Sequence, residues 1–430
     1  MLGISLVLLM LLFLFTGMPV AFALGVAGAI GLYVFDGMDT VLGLLGTVPY
    51  RSAAHYTLST VPMFILMAQF ISVSGIVDDV FTAAQRWLER LPGGLAITTV
   101  FAAAGMAAMS GSSTASAATL STMAVPQMVR HGYSPRIATG VVTIAGTLAI
   151  MIPPSIAFVL YGIITETSIG KLLIAGIIPG ILTAAMYCVA IVVWSKVAPG
   201  SMPASTIRHS WKDRVDSLRN LWPFMILASI VVGSMYGGLA TPTEAAALGA
   251  FGSLLIPLLM GRMSVGKFKT AVMLTMRSTT MIFAIIIGAM IFGYFLTITE
   301  STQDLIAYIG NLDVNRWVIM LFIVVMYLVL GCIMDQVAII LVTLPLVFPL
   351  IVSLGFDPIW FGVICTKTAE IGMATPPLGM NAYVVSATTK VPLEDVFRGT
   401  APLLATDLVA LVVLLAFPAL STWLPSTMVG

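Results

Sequence analysis

Charge is what this chain has least of. Only 9% of its 430 residues are Asp, Glu, Lys or Arg, where a soluble domain carries roughly a quarter. A water-facing globular surface cannot be assembled from so little charge. With 59% hydrophobic residues and a mean hydropathy of +1.08, the composition predicts an all-α polytopic membrane protein. The net charge is only +1, and no basic cluster has aromatics interleaved with it, so nucleic acid is not an expected partner. There are three cysteines, Cys188, Cys332 and Cys365. All lie in apolar runs without metal spacing, which predicts packing roles and no disulfide. The three histidines, His55, His131 and His209, fall in loops or at helix ends and form no His-Glu-x-x-His motif. Gly261-Arg-Met-Ser-Val-Gly266-Lys267-Phe268 imitates a P-loop, but Phe268 stands where a magnesium-binding hydroxyl belongs, and no strand precedes it. Asp78-Asp79 has no second acidic motif to work with. The residues therefore speak against an intramembrane enzyme. The N-terminus is apolar from Leu2 without a basic region before it, which reads as a first transmembrane helix.

What the chain does have, twice, is a pair of prolines within an apolar segment long enough to cross a bilayer. The first is Ile152-Pro153-Pro154-Ser155 and the second Thr375-Pro376-Pro377-Leu378-Gly379-Met380-Asn381. Two adjacent prolines remove two amide donors and clash with the preceding turn, so each helix must break. Backbone groups freed at membrane depth survive only when buried in protein or facing a polar cavity. Two such breaks at membrane depth mark a candidate binding site. Two further apolar segments, about 93–125 and 316–349, exceed one span of roughly 20 residues yet fall short of two spans with a loop. Their centres are polar or glycine-containing: Ser110-Gly111-Ser112-Ser113-Thr114 in one, Gly331-Cys332-Ile333-Met334-Asp335-Gln336 in the other. Both are predicted to be re-entrant hairpins.

The halves share one register. Pro126, Gly132, Pro135, Pro153 and Pro154 recur at Pro349, Gly355, Pro358, Pro376 and Pro377, each 223 residues on (349 − 126), and Pro19 and Pro242 keep the offset. This predicts a duplication: a first repeat over 1–195 with its hairpin at 93–125 and broken helix at 137–165, a linker over 196–222, and a second repeat over 223–430 with hairpin 316–349 and broken helix 359–388. A cytoplasmic linker, with Lys196, Arg208, Lys212, Arg214 and Arg219, places 15 of the 19 basic residues inside. The acidic positions Asp36, Asp39, Glu300, Asp304 and Asp313 then fall outside, and both termini are periplasmic. Five crossings per half is odd, so the second repeat is expected to be inverted, its hairpin entering from the opposite side. Thr241-Pro242-Thr243-Glu244 has the form of a structural helix cap. Gly25/Gly28/Gly31 and Gly176/Gly180 are helix-packing spacings.

Hydroxyls crowd the first tip: Ser110, Ser112, Ser113, Thr114, Ser116 and Thr119, with Gly111 among them. They suit a small cation or a carboxylate. The breaks, with Ser155, Thr375 and Asn381, offer free carbonyls for a cation and half-helix N-termini for an anion; spacing alone does not say which goes where. Asp335 occupies the repeat position of Ser112, and an intramembrane carboxylate is functional by default. A bare carboxylate repels an anionic substrate, so Asp335 is expected to accept hydrogen bonds from substrate hydroxyl or amide groups, or to help neutralise a nearby sodium. Lys367 and Glu370 are spaced for an i,i+3 pair on one helix face and are read as satisfying each other.

At Met106–Thr119, Ile152–Ser155, Thr241–Glu244, Met334-Asp335 and Thr375–Asn381 the chain resembles the large membrane subunit of tripartite ATP-independent periplasmic (TRAP) transporters, essentially end to end. The resemblance implies a secondary transporter of the bacterial inner membrane that imports a small organic acid with sodium by an elevator motion. It also implies two partners, a small four-helix membrane subunit and a periplasmic substrate-binding protein. On the matching positions it places Ser110, Ser112, Ser155 and Asp335 toward substrate. Gly111, Ser113, Thr114, Pro153, Gly331, Met334, Thr375, Pro376, Gly379 and Asn381 fall to sodium, with at least two ions expected from the repeat. A sodium- or proton-coupled transporter of this architecture without a binding protein is the alternative, and a channel a further one.

Overall fold

The computed structural model describes residues 2–198, 200–203, 209–310 and 314–428, and the side chains of all of these except 2–4 and 108–110. Of the residues weighed above, Arg208, Asp313 and the side chain of Ser110 lie outside the described residues.

The first half runs α1 (Leu2–Phe15), α2 (Val20–Asp36), α3 (Met38–Ala53), α4 (Thr60–Ser74), α5 (Ile76–Leu88), α6 (Gly94–Ser110), α7 (Ser113–Arg130), α8 (Pro135–Gly146), α9 (Leu148–Met151), α10 (Ile156–Thr165), α11 (Ile169–Ala175) and α12 (Ile177–Val197). The second continues with α13 (Trp211–Arg219), α14 (Trp222–Ala228), α15 (Ser234–Tyr236), α16 (Pro242–Leu259), α17 (Val265–Ile298), α18 (Ser301–Gly310), α19 (Arg316–Ile333), α20 (Gln336–Ser353), α21 (Pro358–Met373), α22 (Met380–Thr389), α23 (Leu393–Ala416) and α24 (Ala419–Ser426). Among the described residues there is no strand, and seven helices are long and apolar enough to span a bilayer, or up to nine if each bent pair counts as one span.

Both central polar clusters are the turns of helical pairs, α6–α7 and α19–α20. The pairs run past the sequence windows, to Arg130 and Ser353. Pro126, Pro345 and Pro349 sit inside helices and do not end them. A buried membrane helix tolerates proline because its neighbours re-satisfy the freed carbonyls. Both Pro-Pro pairs do break their helices, and both peptide bonds are cis. At the first, the chain bends by 42° between 135–151 and 156–165.

Two groups of helices emerge from the packing. In one, α2, α3 and α4 lie against α17, with α16 along α4 and α1 along α2. Glycine makes the α2–α17 approach possible: a Cβ on Gly28 would come 2.9 Å from the backbone of Phe292. The other group collects α6 to α12 and α19 to α24, with α8 on α23, α21 on α19, and α22 on α7. Thr241 caps α16 as its sequence predicts, and its own amide donates to the Glu244 carboxylate at 2.8 Å.

The linker helix α13 opens with a capping box in which Ser210 donates from both its side chain and its backbone to Asp213. Those bonds hold the Asp213 carboxyl below its usual range. α13 is fastened to α5: Arg86 donates to the Asp213 carbonyl at 3.0 Å and Trp87 to the Arg214 carbonyl at 3.2 Å. Arg262, in the turn before α17, pairs with Asp79 of α5. Glu89, beyond the end of α5, is buried and meets His209 at 2.9 Å.

Candidate functional site

A cavity of about 540 Å³ lies where the two helix groups face each other. One wall carries both hairpin turns: Gly111, Ser112, Ser113 and Thr114 from the first, Asp335 and Gln336 from the second. The opposite wall comes from α4 and α17 and contributes Gln69, Ser72 and Ser278 among apolar side chains such as Ile65, Met281 and Ile282. Residues 221 or more apart in sequence thus converge on one polar strip within an apolar chamber, the usual make-up of a small-ligand site.

Local chemistry shapes each turn. Gly111 closes α6 in a left-handed conformation, φ +58°, and a Cβ there would meet the Pro154 carbonyl at 2.8 Å. The first turn is therefore seated directly on the first Pro-Pro break. Ser112 caps α7 by accepting from the Ala115 amide at 3.5 Å, and its hydroxyl lies 3.3 Å from that of Thr114. In the second turn Asp335 takes the same part, capping α20 through the Ala338 amide at 3.4 Å. The Gly379 amide donates to the Cys332 carbonyl at 3.1 Å, which seats this turn on the second break. Capping by Ser112 and Asp335 orients two half-helix N-termini toward the cavity, where a positive dipole end favours an anion.

Comparison with known proteins fits this geometry. Residues 7–420 match the family described as "Tripartite ATP-independent periplasmic transporter, DctM component". The chain belongs to that family. It is 37% identical over 406 residues, 94% of each chain, to the C4-dicarboxylate TRAP transporter large permease protein DctM of Pseudomonas aeruginosa. It is 29% identical to the sialic acid TRAP transporter large permease protein SiaM of Vibrio cholerae, covering 97% of each. Among solved structures, the YdaH transporter of Alcanivorax borkumensis superposes with a TM-score of 0.69 at 16% identity, over 95% of this chain and 98% of that one, a likeness of fold. The protein is thus a multi-pass large permease subunit of a TRAP transporter.

Within the permease, not every residue singled out from sequence reaches the cavity. Ser155 is fully buried and spends its hydroxyl on capping α10, accepting from the Phe158 amide at 3.3 Å. Pro153 is buried beside it. Gly331 packs α19 onto α21, where a Cβ would lie 2.8 Å from the Gly372 Cα. Met334 lines a separate apolar cleft of about 560 Å³ between α1, α2, α17 and the second hairpin, into which Asp335 also reaches. The Thr375 hydroxyl bonds back to the Ile371 carbonyl at 2.6 Å, the ordinary fate of threonine in a membrane helix. Pro376 is exposed, and Gly379 is buried. Asn381 is fully buried, and neither atom of its amide has a partner among the described residues.

One expectation is corrected. Lys367 and Glu370 do not satisfy each other. The Lys367 ammonium pairs with Asp407 of α23 and stands 5.8 Å over the ring of Tyr187 from α12. Glu370 instead accepts a hydrogen bond from the Ser113 hydroxyl at 3.0 Å. An i,i+3 spacing makes a pair possible, but a partner on a facing helix can approach without the stem of either side chain bending along the helix surface. Asp407 carried a signal that sequence reasoning passed over, a lone carboxylate within an apolar segment. Gln69, Ser72 and Ser278 carried none, since isolated polar residues in spans usually bond to their own helices.

Proposed function

We propose that this permease imports a small organic anion together with sodium, in the inner membrane of a bacterium, working with a small four-helix membrane subunit and a periplasmic binding protein that delivers the substrate. The observation that carries this reading is the shared cavity: two hairpin turns from opposite halves meet there, and the facing wall belongs to the other helix group. A site that straddles two packed groups suits alternating access in which one group slides past the other with the ligand held at the turns. In this elevator reading α6 to α12 and α19 to α24 move, α2 to α4, α16 and α17 stay, and the two hairpins are re-entrant from opposite faces. Both termini are periplasmic and α13 is cytoplasmic, following the basic-residue asymmetry. Relatives named for C4-dicarboxylate and sialic acid transport support an acid as cargo. Ser112, Thr114 and the two helix N-termini would hold its acid group, and Asp335 its donor groups. At least two sodium ions would sit behind the turns, one per repeat.

Uptake into proteoliposomes containing the permease, its small subunit and the binding protein tests this. Accumulation is expected with an inward sodium gradient and only with the binding protein present. Uptake that follows a proton gradient and ignores sodium would overturn the coupling, and full uptake without the binding protein would overturn the delivery.

A further inference from the structure

Ser113 stands between two environments. One side of it lines the substrate cavity. On the other its hydroxyl donates to Oε1 of Glu370, a fully buried carboxylate that does not itself line the cavity. The second oxygen, Oε2, is buried and has no hydrogen-bond partner among the described residues. The cation best placed to neutralise Glu370, Lys367 one turn back on the same helix, is committed to Asp407, whose own Oδ2 is also unpartnered. Two buried carboxylates, Glu370 and Asp407, therefore stand beside a single buried ammonium that pairs with only one of them. A carboxylate withdrawn from water with half its acceptor capacity unused calls for a positive charge. The N-terminus of α7 supplies a dipole worth only about half a charge, and no backbone amide of α7 is hydrogen-bonded to Glu370 among the described residues.

We propose that Glu370 is a cation ligand of this permease, holding a sodium ion through Oε2 and the Ser113 oxygen behind the first hairpin turn. A hydroxyl that donates its proton to Oε1 still offers lone pairs to a cation on its other side, so the two residues form one oxygen-rich corner. This rests on the sodium-coupled reading and adds to it a carboxylate from the opposite repeat. Loading this corner would fix the turn that carries Ser112 and Thr114, so cation and substrate would favour each other's binding.

The test is equilibrium binding of radioactive sodium to the purified permease with its small subunit, in lipid nanodiscs. The wild-type complex is expected to bind at least two ions, and Glu370→Gln to bind one fewer with the remaining affinity within about threefold. Sodium-dependent thermal protection should shrink in parallel. A folded Glu370→Gln complex with wild-type stoichiometry and half-saturation overturns the proposal while leaving sodium coupling intact. The same result together with lost proton uptake on binding would assign Glu370 to a proton instead, and also overturns it. Absence of sodium binding to the wild type overturns the coupling itself. Should Glu370→Gln not fold, Glu370→Asp decides, since it keeps the charge and draws it back by one methylene. Its half-saturation for sodium is expected to rise at least tenfold, and an unchanged value overturns the proposal.

Discussion

Replacing Asp335 by Asn separates its two jobs. As the cap of α20 it accepts from the Ala338 amide at 3.4 Å, and as a wall of the cavity it offers a carboxylate oxygen to whatever lies between the hairpin turns. Asparagine caps helices about as well as aspartate, so the first job survives with a cost of a few tenths of a kcal/mol at most. The second job loses its charge. A hydrogen bond to a charged group is worth about 1.5–3 kcal/mol, and about 1.4 kcal/mol is a factor of ten. Uptake at limiting substrate and limiting sodium should therefore fall by roughly ten- to a hundredfold, with the melting temperature of the purified protein almost unchanged. Asp335→Glu keeps the charge but lengthens the arm at a turn whose geometry is set by the cap, and it should fail as well. Asp335→Ala removes the cap too and should lower stability by about 1 kcal/mol, which a melting curve reads. Proteoliposome uptake with the binding protein present is the assay. Normal uptake by the Asn variant under both limiting conditions would remove Asp335 from the site, and lost melting temperature in the Asn variant would make it structural.

Gly111→Ala places a Cβ 2.8 Å from the Pro154 carbonyl at a left-handed backbone position. The backbone conformation alone costs about 1–2 kcal/mol, so uptake and melting temperature should both drop, and an unaffected variant would show that the turn is not seated as described. Lys367→Met leaves Asp407 buried without its cation and should destabilise by about 3–5 kcal/mol, with the double variant Lys367→Met/Asp407→Leu recovering most of it. Thermal unfolding in detergent measures both, and a double variant no better than the single would argue against the pairing. Single cysteines at 213 and 304, introduced with Cys188, Cys332 and Cys365 replaced, report topology. Residue 304 should label from the periplasm and residue 213 only from the cytoplasm, and the reverse pattern would invert the assignment.

Prolines and glycines told most of this story from sequence because they act locally. A Pro-Pro pair breaks a helix whatever surrounds it, so both breaks and both hairpin turns stood out by composition and by their shared 223-residue register. Thr241 and Glu244 cap α16 for the same reason: the partners lie within one turn. The ends of the hairpins were harder. Pro126 and Pro349 look like stops, yet neighbouring helices carry α7 and α20 past them. Pairing choices were not legible at all. Lys367 could reach Glu370 along its own helix, but Asp407, 40 residues on, takes the ammonium, and Ser113, 257 residues earlier, takes the carboxylate. Which serine reaches the cavity was equally hidden, since Ser112 and Ser155 both cap half-helices, yet of the two only Ser112 lines it. Local sequence determines where a backbone must break and which residue caps it. How the two helix groups pack decides which of those broken ends share a chamber and which charges meet, because the packing brings together residues that no sequence spacing relates.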